Sequence, residues 1–143
     1  MKNVKKNNKG FSLVELIVVV MIMAIIAVAL APQVMKWVNN SRIATDKQTV
    51  DSVVSACQTA LTNTDAYAQI SKLSSDLTFT LGENGATYTP TTNKDDKFYT
   101  AVNEIMSLSD AKMKSGVTVT ITVTKAGKVS SNAATVLTSS DLN

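Results

Sequence analysis

Histidine is absent from the 143-residue chain, and cysteine occurs once, at Cys57. Without histidine there is no imidazole general base, and most zinc sites are excluded. One cysteine rules out an internal disulfide and any Cys-rich metal site. Phosphate-cradling glycine patterns are missing as well: neither G-x-x-x-x-G-K-[ST] nor G-x-G-x-x-G occurs. The carboxylates are scattered, so no nucleophile–base pair can be assembled from local spacing. These absences predict a non-enzyme that needs no cofactor or metal. Helix breakers are scarce too: no Gly lies between Phe11 and Leu81, and Pro32 is the only Pro in that stretch.

A net excess of positive charge is missing from most of the chain, although 14 Lys+Arg against 11 Asp+Glu give a formal charge of +3. Lys2, Lys5, Lys6 and Lys9 fall in the first ten residues with no acid among them. From Phe11 onward 10 basic and 11 acidic side chains remain, a formal charge of −1. With no basic cluster beyond that tract, direct nucleic-acid binding is not expected.

An apolar run from Phe11 to Ala31 comes directly after the lysines and Gly10, interrupted only by Ser12 and Glu15. As a helix it rises about 31 Å, which matches a hydrocarbon core of about 30 Å. Lysines ahead of the span hold that end in the cytoplasm and leave the bulk of the chain outside. A secretory signal peptide, with Ala27-Val28-Ala29 as its cleavage site, and an ordinary single-span anchor compete for this pattern. Glu15 argues against both, because neither needs an acid at the start of its apolar region. An ionisable residue inside a span is a functional candidate, and its partner is the question. Cleavage after Gly10 would create one, the α-amino group of Phe11.

Lys9-Gly10-Phe11-Ser12-Leu13-Val14-Glu15-Leu16 resembles the prepilin signature of type IV pilins and pseudopilins. The likeness runs from about Lys2 to Arg42: a basic leader ending in Gly, then Phe, Glu four residues on, an uninterrupted apolar helix, and Pro32 where many members carry a helix-kinking proline. The resemblance implies that residues 1–10 are a leader removed by a prepilin peptidase at Gly10–Phe11. It implies N-methylation of Phe11, and pairing of Glu15 with the Phe11 ammonium of a neighbouring subunit during filament assembly. It further implies an inner-membrane platform protein and an assembly ATPase as partners. The chain would be a single-pass membrane protein before assembly and part of a surface pilus afterwards. Many pilins of Gram-negative type have a C-terminal disulfide loop that this chain cannot make.

Beyond Ala31, Val34, Trp37, Val38 and Ala44, then Val50, Val53, Val54, Cys57, Ala60, Leu61 and Ala68, recur at spacings of three and four. They predict that the helix continues, kinked at Pro32, to about Tyr67, with residues 32–68 as its outer half. Residues 69–143 read as a β-rich head. Leu77–Leu81 alternates strictly, Gly82-Glu83-Asn84-Gly85 is a turn before Ala86–Thr89, and Val117–Thr124 sets four β-branched apolars against four threonines. Lys125–Lys128 turns the chain into a strand near Val129, and Ala133–Leu137 is a candidate for another. Asp95 or Asp96 caps a short helix whose apolar side is Phe98, Val102, Ile105 and Met106. The predicted fold is α+β, the pilin fold, a long N-terminal helix packed against a small antiparallel sheet.

The remaining signals read as structural. Cys57 is a buried inert thiol, Trp37 a packing or interfacial residue, and Met21, Met23 and Met35 fill gaps between helices. Asp95-Asp96 offers too few ligands for calcium. The threonine face reads as a solvated sheet face, with an adhesive surface or glycan attachment as alternatives. The function expected is a pilus subunit forming a helical homo-oligomer for adhesion, motility or biofilm formation. The alternatives are a pseudopilin of type II secretion or competence DNA uptake, and a single-span anchored binding domain that does not polymerise.

Overall fold

The computed structural model describes residues 10–89 and 96–138. The expected leader, apart from Gly10, lies outside them, as does Asp95, one of the two candidate helix caps. The elements are α1 (Leu13–Ala60), α2 (Thr64–Ser71), β1 (Leu77–Gly82), β2 (Gly85–Thr89), α3 (Lys97–Ile105), a 3-10 turn (Leu108–Asp110), β3 (Val119–Val123), β4 (Val129–Ser131) and α4 (Ala133–Val136). Two compact units divide the chain, Met1–Trp37 and Val38–Asn143.

The first unit consists, among its described residues, of the start of α1 and the three residues before it. Its apolar side chains from Phe11 to Trp37 are exposed. The helix is long and apolar enough to cross a membrane. Helical backbone continues on both sides of Pro32.

The second unit holds the core. Ile43, Val50, Val53, Cys57 and Ala60 of α1 pack with Leu77, Phe79 and Leu81 of β1 and with Val119, Ile121 and Val123 of β3. These strand residues alternate with half-buried threonines, the pattern of a sheet with one dry face. The sheet is antiparallel throughout, in the order β2-β1-β3-β4. A two-residue turn, Glu83-Asn84, joins β1 to β2, with Gly82 opposite Gly85. Gly85 has φ +106°, and a Cβ there would meet the Ser109 carbonyl oxygen at 2.8 Å, so only glycine fits.

The outer helix is shorter than its periodicity predicts, and the segment expected as residues 32–68 of one helix is two. α1 stops at Ala60, and the chain tightens through Thr62 N–H to the Thr59 carbonyl and Asn63 N–H to the Ala60 carbonyl. Asn63 leaves the helical region and its side chain accepts from Asp65 N–H at 3.0 Å and Ala66 N–H at 3.3 Å, starting α2. An asparagine that bonds its own backbone ends a helix without any Gly or Pro. Ala66 and Ile70 still reach the core from the new direction.

Two other expectations are corrected. Ala133–Leu137 is not a strand: Ala133–Val136 forms a helical turn. Asn132 closes the ladder by donating its N–H to the Thr120 carbonyl and accepting Thr120 N–H on its side chain at 2.8 Å. Ile105, assigned to the apolar side of α3, is half exposed, and Phe98 and Val102 alone are buried there.

Candidate functional site

Three of the four residues singled out by the sequence, Gly10, Phe11 and Glu15, lie at the start of α1. Gly10, Phe11 and Ser12 precede the first helical residue, Leu13, and all three are exposed, Phe11 at 91%. The Gly10–Phe11 peptide bond thus lies in non-helical chain with nothing packed on Gly10.

Ser12 and Glu15 show why the helix starts where it does. Ser12 carbonyl accepts Leu16 N–H at 3.2 Å, the first helical bond, and the Glu15 carboxylate reaches back to Ser12 N–H at 3.1 Å. This is the Glu half of an S-x-x-E capping arrangement, a signal present in Ser12-Leu13-Val14-Glu15 that the sequence reading passed over. It places a carboxylate at the positive end of the helix dipole. Glu15 therefore has a partner in Ser12 N–H of its own chain, beside the Phe11 ammonium that the sequence suggested. The bond engages one carboxylate oxygen, and the other is open to a cation. Pro32, the fourth singled-out residue, lies far along the same helix and takes no part in this cluster.

In the second unit the polar groups that matter are structural. Asp46 is fully buried on α1 and accepts Lys114 N–H at 2.7 Å and Ser115 N–H at 2.8 Å. It clasps the loop before β3 to the helix. The sequence reading missed it, although its signal is plain: Ile43, Asp46, Val50 and Val53 share one face, and an acid on an apolar face must be paired. Asp96, rather than Asp95, caps α3, accepting Phe98 and Tyr99 N–H, each at 3.0 Å, on Oδ1. Its Oδ2 accepts the Tyr88 hydroxyl. Burial, and then this carboxylate, hold the Tyr88 phenol well above its ordinary range. Among the described residues no group of three or more His, Cys, Asp or Glu could hold a metal ion. Cys57 is buried and free, and burial pushes its thiol up to about 12, which leaves it protonated and inert at neutral pH.

A comparison with known families matches residues 5–31 to the prokaryotic N-terminal methylation motif. No curated protein and no solved structure matches the chain. The match covers Gly10, Phe11, Ser12 and Glu15 in one segment. This segment is similar to the class III signal peptide of prepilins, and it supports a type IV pilin-like or pseudopilin-like protein. The motif belongs to structural proteins rather than enzymes, and it implies processing by a prepilin peptidase. The α+β architecture, a long N-terminal helix with a small antiparallel sheet, is consistent with the pilin fold.

Proposed function

We propose that the mature chain is the subunit of a type IV pilus, a helical filament whose apolar helices pack in its core. One observation carries this reading: a wholly exposed apolar helix, Leu13 to Trp37, opens on a carboxylate within the methylation motif. A helix so apolar needs lipid or other helices around it. The two environments succeed one another, with the membrane before assembly and neighbouring subunits after it.

Cleavage between Gly10 and Phe11 would remove the leader lysines and create an ammonium at Phe11, which is then N-methylated. Glu15 would receive the ammonium of an adjacent subunit on the carboxylate oxygen left open by Ser12 N–H. In the low dielectric of packed helices such a charge pair is stable only in register, which makes it a test of correct docking. Pro32 would loosen α1, because it leaves the carbonyl four residues back without a helical donor. A platform protein and an assembly ATPase would drive polymerisation, and adhesion, motility or biofilm formation would be the work done.

Sheared surface filaments provide the test. The chain should be their dominant band, and its N-terminal sequence should begin at Phe11. Glu15→Ala should leave membrane insertion intact and abolish incorporation. Normal filaments from that variant, or a mature N-terminus at Leu30, would overturn the proposal. Processed chain that never forms surface filaments would favour the pseudopilin.

A further inference from the structure

The turn between β1 and β2 holds a chemically reactive pair. Glu83 and Asn84 are exposed and lie outside the ladder, which closes at Gly82 and Gly85. Among the described residues the Asn84 carboxamide has no hydrogen-bond partner, and the next residue, Gly85, has no Cβ. A backbone nitrogen that follows asparagine attacks the side-chain carbonyl carbon, and a Cβ beside that nitrogen is the main steric obstacle. The other described asparagines are kept from this reaction, and each precedes a residue that has a Cβ. Asn39 and Asn40 lie inside α1, where side chains tilt back toward the helix start and away from the following nitrogen. Asn63, Asn103 and Asn132 have their side-chain oxygens committed to backbone N–H groups of Asp65 and Ala66, of Leu108 and of Thr120.

We propose that Asn84 is a site of spontaneous deamidation, and that isoaspartate formed there releases the hairpin end from the loop before β3. The Gly85 nitrogen gives its proton to hydroxide and attacks Asn84 Cγ. A C–N bond forms, the Cγ–Nδ2 bond breaks, and the nitrogen leaves as ammonia with protons returned by water. The product is a five-membered succinimide that joins the two residues. Water opens it at Cγ to give aspartate, or at the Asn84 backbone carbonyl to give isoaspartate. Both products set a carboxylate beside Glu83, and isoaspartate also adds one carbon, about 1.5 Å of chain, to the backbone before Gly85. The fold has no slack for that carbon. A Cβ on Gly85 would stand 2.8 Å from the Ser109 carbonyl oxygen and 3.3 Å from that of Leu108. Gly82, opposite Gly85, accepts Met113 N–H on its carbonyl at 2.9 Å. The next two N–H groups, of Lys114 and Ser115, are the ones that Asp46 holds. A displaced turn therefore gives up the Met113 bond while the Asp46 clasp stays closed. The inference does not rest on the filament reading, since every group belongs to one chain.

The test incubates the full chain in detergent at neutral and mildly alkaline pH, folded and in urea, and maps its peptides by mass spectrometry. Isoaspartate is told from aspartate by isoaspartyl methyltransferase labelling. In the folded chain Asn84 should convert to aspartate and isoaspartate at a rate proportional to hydroxide, while Asn63, Asn103 and Asn132 remain amides. The turn restrains the approach of Cγ to nitrogen, so conversion in urea should be faster. Asn84→Gln, which would have to close a larger ring, should keep its amide. In the purified isoaspartyl form the Met113 amide should exchange with deuterium faster than in the unaltered chain. Asn84→Asp, which carries the charge without the added carbon, should exchange it at the unaltered rate. Conversion at Asn84 in urea with none in the folded chain, or equal conversion at Asn63, Asn103 and Asn132, would overturn the site. Unchanged Met113 exchange in the isoaspartyl form, or equal acceleration in Asn84→Asp, would overturn the release.

Discussion

Asp46 ties the loop before β3 to α1 from inside the core of the second unit. A buried carboxylate is costly unless donors surround it, and here two backbone N–H groups from the loop before β3 supply them. Asp46→Ala would orphan both donors, at a cost of about 3 kcal/mol. Lys114→Ala, which removes a side chain but leaves the N–H, should stay within about 0.5 kcal/mol. Urea unfolding of the two variants checks the pair, and equal effects would contradict the clasp. Cys57 makes a second residue-scale prediction. Its thiol stays neutral in the folded chain up to about 12, against 9.0 in the unfolded chain. A raised pKa of this kind leaves stability untouched below pH 9 and erodes it as pH rises toward 12, by about 1.4 kcal/mol per pH unit. Tyr88, also held high, adds loss of the same sign once its unfolded value of 10.0 is passed. Urea midpoints between pH 8 and about 10.5 should therefore fall in the unaltered chain and fall less in Cys57→Ala.

At the scale of elements, short-range patterning was readable and element ends were not. The β1–β2 hairpin stands at Leu77–Gly82 and Gly85–Thr89, because strict alternation and a Gly-flanked turn are local signals. Gly85→Ala should be destabilising by more than about 1 kcal/mol, since a non-glycine residue held at positive φ costs on the order of 1–3 kcal/mol. Both the positive φ and the Ser109 carbonyl oppose a Cβ, and a thermal melt measures the loss. The break after Ala60 escaped a reading that looked for Gly or Pro, since Asn63 does the same work with a side-chain oxygen. Asn63→Ala should cost about 1 kcal/mol and fray α2. Hydrogen exchange at Asp65 and Ala66, whose N–H groups it accepts, should accelerate accordingly. Ala133–Val136 turned helical for a related reason: Asn132 satisfies both backbone groups of Thr120 and leaves no ladder to extend.

For the whole molecule, the two units divide the physical work. Every buried apolar side chain among the described residues lies between Ile43 and Leu137, and the apolar surface from Phe11 to Trp37 is left uncovered. A chain starting at Val38 is therefore expected to remain folded and soluble as a monomer without detergent. The full chain should need detergent to stay dispersed. Sedimentation and circular dichroism of both forms check this, and an unfolded Val38 fragment would show that the first unit is needed for the core.

The sequence by itself determined whatever depends on order along the chain. The leader-type lysines, Gly10, Phe11 and Glu15 in fixed spacing, the apolar span and the alternating strands are all local patterns, and a periodicity of helix or strand is enough to read them. Tertiary structure decided where a polar group finds its partner. Asp46 is 68 residues from Lys114, and no local pattern could name that donor. Nor could strand composition align Thr78 with both Thr89 and Thr122, because register is set by which faces the core buries. Glu15 stands on the local side of that division: its S-x-x-E spacing places the carboxylate at Ser12 N–H, a contact within one turn that needs no tertiary fold.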